Sequence, residues 1–174
     1  MNLKNLGLKC ITNHWSAGSY TQTFDDYHFC ITWDGKKAQV IQTLSLTERG
    51  SHCWRRNTGN IGVSMMCMAE KYPVRLEQVE AMAKLNAELC LYFGLDPNGT
   101  YTAQKIDPDS GAPIFGAFEA PIVSDHAFYA RKDGYSSLRW DIGNHMAPVK
   151  AKTLWYYNKL KSGEIKPEYT VNLH

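Results

Sequence analysis

Residues 124–143, SDHAFYARKDGYSSLRWDIG, carry three side chains of the kinds that bind a metal ion and assist its chemistry. His126 offers an imidazole nitrogen and Asp141 a carboxylate oxygen. Arg139, two residues before Asp141, is a permanent cation that an extended backbone would hold near the same centre. A catalytic zinc takes three protein ligands and keeps its fourth position for water or substrate. His14, in the run CITNHWSAG, is the candidate third ligand, because residues 10–13 read as a short buried strand that delivers it at the strand's end. In a chain with six histidines, His126 followed by Asp141 is a loose pattern. A blander reading stays open, in which His126 is a surface histidine and Asp141 caps a turn or pairs with Arg139.

The elements that must position these groups follow from pattern. Residues 9–14 form a first strand, and residues 15–26, rich in Ser, Gly and Thr, a loop leading away from it. Residues 27–32 (YHFCIT) and 37–43 (KAQVIQT) are β-rich and separated by a segment holding Asp34-Gly35, a hairpin signal. Residues 44–59 read as a polar loop carrying His52, Trp54, Arg55 and Arg56. The mostly apolar NIGVSMMC at 60–67 suits a strand buried on both faces. Residues 75–93 are helical, with Leu76, Val79, Met82, Ala83, Leu89, Cys90 and Phe93 returning to one face, Pro73 before and Gly94 after. Residues 100–106 and 114–120 flank DPDSG as two short extended pieces around a turn. Together they predict a surface hairpin. Residues 148–160 form a terminal helix, and the tail beyond residue 163 is irregular. Strands interleaved with helices, with one antiparallel hairpin, predict an α/β fold: a central mixed sheet flanked by α-helices.

At 174 residues, 44% hydrophobic and 21% charged, the chain is long enough for one self-sufficient domain, with a core spanning about residues 9–161. A formal charge of +2 without basic blocks argues against nucleic acid. The five cysteines show no CxxC spacing and are odd in number, so reduced core thiols are expected. Neither a leader-type apolar run nor a stretch of about 20 apolar residues occurs. A soluble monomer without signal peptide or membrane contact is expected.

Further matches run along the chain in order: HWSAG at His14, YHFCITWDG at Tyr27, SHCW at Ser51, NTGNIGVS at Asn57, the helix VRLEQVEAMAKLNAELC, and DH…DGY…RWDIG from Asp125. With these motifs, over roughly residues 9–143, the chain resembles the zinc-dependent N-acetylmuramoyl-L-alanine amidases of the type-2 amidase and peptidoglycan-recognition fold, particularly phage-associated, endolysin-like members. The resemblance implies a central mixed sheet flanked by helices. It also implies hydrolysis of the amide between N-acetylmuramic acid and L-alanine in bacterial peptidoglycan, with one Zn2+ as cofactor and the cell wall as partner. It puts the metal ligands at His14, His126 and Asp141 and the family's cation, usually lysine, at Arg139. It also puts a site tyrosine at Tyr27 and a substrate-contacting rim residue at His52. His28 is expected to be buried and hydrogen-bonded, and His145 and His174 exposed. Three departures stand out. Ser64 occupies the strand position where many members carry a glutamate, the stretch from His14 to Tyr27 is shorter, and that from Gly94 to His126 is longer. Other readings that fit the resemblance are a non-catalytic peptidoglycan-binding member and a toxin-type amidase. A phage enzyme would wait in the host cytoplasm until released to the wall, or be carried on the particle.

Overall fold

The structure, a computed structural model, describes residues 6–68, 70–135 and 137–173. Strands β1 (Cys10–Trp15), β2 (Phe29–Trp33), β3 (Ala38–Gln42) and β4 (Asn60–Met65) precede helix α1 (Leu76–Phe93). Strands β5 (Thr100–Ile106), β6 (Pro113–Pro121) and β7 (Val123–Asp125) lead into helices α2 (His126–Asp133) and α3 (Met146–Ser162). Five strands form one mixed sheet in the order β3-β2-β4-β1-β7, while β5 and β6 pair separately. Only β2 and β3 run antiparallel within the main sheet; β1, β2, β4 and β7 are parallel. The expected fold class is therefore observed.

Side-chain alternation along β1 gives the sheet its two faces. Ile11 joins the large core with Met82, Leu85 and Leu89 of α1, and Asn13 Oδ1 accepts a hydrogen bond from Asn86 Nδ2 of α1 at 3.0 Å. Cys10, Thr12 and His14 point to the other face. There Cys10 lies against the hydroxyls of Tyr101 and Tyr129, and Tyr129 belongs to a second, smaller cluster with Cys53, Ala103 and Ala120. The hairpin of β5 and β6 is thus anchored on its inner side by Ala103 and Ala120, and only its outer part is surface.

Helix α1 has the capping its sequence implies: Gln78 Oε1 accepts the Arg75 N–H at 3.1 Å, and Gly94 closes the last turn with φ +68°. Buried Gln78 also donates to the carbonyls of Ile31 and Met66, both at 2.9 Å, so α1 clamps the ends of β2 and β4. Half-buried Arg56 pairs through Nε and a terminal nitrogen with Asp133, joining the 44–59 loop to the end of α2. All five cysteines are buried and free. Burial raises their thiols, to about 12 for Cys67 and Cys90, so they remain neutral core groups.

The sequence reading missed β7 and α2. The residues between Ile122 and Asp133 are too few for periodicity to register, although Asp125 accepts the Phe128 N–H as an N-cap at 2.8 Å and Gly134 ends the helix in the left-handed region. His174 lies outside the described residues.

Candidate active site

Register brings the two candidate histidine ligands together. The parallel pairing of β1 with β7 matches Ile11 with Val123, Thr12 with Ser124 and Asn13 with Asp125. The next residues along the chain are His14 of β1 and His126, the first residue of α2, and their rings meet edge to face with centroids 4.9 Å apart. Asp141 reaches them from the loop after α2. Its backbone carbonyl accepts the Ala127 N–H at 2.7 Å, and the following Ile142 is wholly buried in the core.

Asp141 Oδ2 stands 3.1 Å from His14 Nδ1 and 3.4 Å from His126 Nδ1. The three residues are buried, and one ligand atom from each lies within 4.8 Å of the others. Ligands on a tetrahedral zinc at about 2.0–2.1 Å are separated by roughly 3.3 Å, close to the two distances observed. The donor set of two imidazoles and one carboxylate, facing a cleft, therefore fits a zinc ion with an open fourth position. Burial pushes the Asp141 carboxyl up, but His126, His14 and the Trp15 N–H outweigh it and hold it below the ordinary range. Burial in turn holds the His14 imidazolium below its ordinary value, against the pull of Asp141. An anionic carboxylate beside a neutral imidazole is the state a divalent cation needs.

The cleft in front of these residues has a volume of about 570 Å3, and Tyr27, Asp26, Arg49, Trp54, Arg55 and Leu138 contribute to its walls. Tyr27 is at the site, its ring centroid 5.2 Å from that of His14. It precedes β2 rather than lying in it. Burial and then the charge of Asp141 push its phenol well above the ordinary range, with the Ser64 hydroxyl acting in the opposite sense. Tyr27 is thus an O–H donor and not a base. Ser64 sits beside His14 in the β1–β4 register and is fully buried.

Two expected placements change. His52 lines the cleft but is not exposed. It is 6% exposed and packs against His14, with its Nδ1 3.0 Å from His14 Nε2 and its Nε2 donating to the Asn60 carbonyl at 3.2 Å. Burial, followed by neighbouring His14 and His28, holds it well below its ordinary value. Arg139 is not beside Asp141 either. The backbone turns at Leu138, which has φ +60°, and the exposed guanidinium binds the carbonyls of Tyr135 at 2.8 Å and Gly134 at 3.4 Å. It lines a different depression, with Arg131, Trp140 and Lys150. His28 is buried as expected, accepting the Gly62 N–H at 3.0 Å and donating to the Glu48 carbonyl at 3.2 Å. His145, half-buried, packs edge to face with Trp15 at 6.4 Å.

The sequence model described as N-acetylmuramoyl-L-alanine amidase matches residues 5–133, about three quarters of the chain. The chain belongs to this amidase family. The match ends before Asp141, so it does not cover the third candidate ligand. Among solved structures, the amidase chain is similar to the Staphylococcus aureus hydrolase AmiA, whose structure is described in complex with its ligand. The two share 15% identity over 97% of this chain and 82% of that chain, with a TM-score of 0.53. At that identity the likeness supports the fold. No curated protein matches the sequence.

Proposed function

We propose that this amidase is zinc-dependent and cleaves the bond between N-acetylmuramic acid and L-alanine in bacterial peptidoglycan, with His14, His126 and Asp141 as the metal ligands. The carrying observation is the convergence of His14 Nδ1, His126 Nδ1 and Asp141 Oδ2 at the floor of an open cleft. When bound, zinc supplies Lewis acidity to the scissile carbonyl and to a water molecule near neutral pH.

The chain's own residues do the rest. The Tyr27 hydroxyl donates a hydrogen bond to the carbonyl oxygen as charge develops on it, in a partly dehydrated setting where such a donor is worth about 3–4 kcal/mol. Arg139, held on the Gly134 and Tyr135 carbonyls, has no part in this step. His52 has both ring nitrogens engaged and carries no proton to the leaving amine. Ser64 is no carboxylate, so the proton reaches the amine of L-alanine through water in the open cleft. Substrate is held along the walls. The indole of Trp54, 47% exposed and stacked under Arg55 at 4.9 Å, offers a flat face to a sugar ring. Arg49 and Arg55 offer cations to stem-peptide carboxylates.

The test is mass spectrometry of purified peptidoglycan after digestion by the zinc-loaded protein. Free L-alanine amino termini are expected. New reducing sugar ends would sink this reading, and an unchanged wall bound by the protein would leave a binding member of the family.

A further inference from the structure

We propose that His52 is a positioning residue of the metal centre: its Nδ1 takes the Nε2–H of His14 and thereby turns the Nδ1 lone pair of His14 toward the metal. The proposal rests on the zinc reading above and adds a residue that acts on the metal through a ligand.

The assignment follows from which atoms can donate. The Asn60 carbonyl only accepts, so the His52 nitrogen 3.2 Å from it, Nε2, carries a hydrogen. His52 is 6% exposed and has no carboxylate among its hydrogen-bond partners, which leaves a neutral ring with Nδ1 bare. His14 Nε2, 3.0 Å away, must then supply the hydrogen of that contact. A neutral His14 with hydrogen on Nε2 has a bare Nδ1, and Nδ1 is the atom facing Asp141 Oδ2 at 3.1 Å. Two lone pairs at that distance repel, a cost that the Nε2–H contact with His52 offsets in the metal-free protein and that a bound cation removes. In the opposite tautomer, Nδ1–H would bond Asp141 and block the ligand atom, while His14 Nε2 and His52 Nδ1 would face each other bare. His52 therefore decides between a metal-ready and a metal-blocked His14.

The surroundings are built to hold this ring. Asn57 Oδ1 accepts the N–H groups of His52 at 3.1 Å and Cys53 at 2.7 Å, fixing the loop that carries it. Strand β4 has glycine at position 62, where a Cβ would lie 2.5 Å from His52 Cδ2 and 2.6 Å from Cγ. A Cβ at Gly50 would come within 2.8 Å of the same ring. The two glycines form the slot into which the imidazole fits edgewise against His14, ring centroids 5.0 Å apart at 80°. The other histidine ligand has no such partner: His126 Nε2 is buried and makes no hydrogen bond among the described residues.

Two readouts test the proposal. Long-range 1H–15N spectra of metal-free protein are expected to show His14 as the Nε2–H tautomer in the natural sequence and as Nδ1–H in His52→Leu. Competition with a chromophoric chelator is expected to show zinc affinity about 10–100-fold weaker in His52→Leu, the range for loss of such a partner. His52→Asn, whose Oδ1 falls at the position of Nδ1 and still accepts, should bind within about threefold of the natural protein. Gly62→Ala should behave like His52→Leu, because its methyl displaces the ring. An Nδ1–H tautomer in the natural protein, unchanged affinity in His52→Leu, or equal losses in the Leu and Asn variants would each overturn the proposal. If His52→Leu fails to fold, the natural protein's tautomer and the Asn variant still decide. A natural protein that takes up no zinc would sink the zinc reading, while the metal-free spectrum would still judge the role of His52.

Discussion

The backbone N–H of Trp15 donates to Asp141 Oδ1 at 2.7 Å, tying the end of β1 to the loop that supplies the third candidate ligand. One oxygen of Asp141 therefore serves the fold, and the other faces the two candidate histidine ligands. Asp141→Asn can keep the Trp15 contact while removing the anionic ligand. It should abolish zinc uptake but leave metal-free thermal stability nearly unchanged. Asp141→Ala loses both functions, and its metal-free form should be destabilised by a further ~1–3 kcal/mol, as expected for an N–H left unpaired. Metal analysis and chelator-treated melting curves separate the two variants.

Tyr27→Phe should lower kcat by about 10²-fold with zinc content unchanged, since only the hydroxyl is lost. Burial and Asp141 hold the Tyr27 phenol above its ordinary range. The rate should therefore not decline through tyrosine ionisation as pH rises to about 10, the unperturbed tyrosine value. A decline near pH 9–10 in the natural enzyme that is absent from Tyr27→Phe would contradict this role.

Arg56 and Asp133 form a largely buried pair, with side chains 8% and 0% exposed. Removing Arg56 alone strands a buried carboxylate, so Arg56→Ala should cost about 3–5 kcal/mol. The double variant Arg56→Ala, Asp133→Ala should recover part of that loss. Urea denaturation of the four proteins of the cycle measures it.

Metal-free protein should lose stability as pH falls from 7 toward 5. His14, His28 and His52 are all held below their ordinary values, chiefly by burial. Below about pH 6.5 the unfolded chain binds protons that the folded state refuses, and the equilibrium shifts toward unfolding. Zinc should oppose the loss until its ligands are protonated. Melting temperatures at pH 7 and 5.5, with and without chelator, check the direction; equal values without metal would contradict it.

Four of the five main-sheet strands, both long helices and the candidate ligands were legible because strand alternation, caps and family motifs are local or ordered in sequence. His14 could be placed at a strand end from CITN alone. What failed was non-local or too short to pattern. His52 reads as a polar-loop residue; its burial depends on Gly50, Gly62 and Asn57, which only the folded chain brings around it. Arg139 was placed by assuming an extended approach to Asp141, which the turn at Leu138 prevents. The hairpin of residues 100–120 was expected to be surface, yet Ala103 and Ala120 are buried against Tyr129, a contact set by where α2 lies.

The bond between Trp15 and Asp141 joins residues 126 positions apart, and that between His14 and Asp141 joins residues 127 apart. Contacts of such sequence separation close large loops and form late in folding. A chain still being synthesised has β1 long before it has the loop after α2, so it holds one imidazole of the centre and no carboxylate. On the zinc reading proposed above, the metal is captured only by a molecule whose first strand and last quarter have already met. Zinc uptake would then report completed folding, with hydrolytic capacity arriving in one step at the end of assembly.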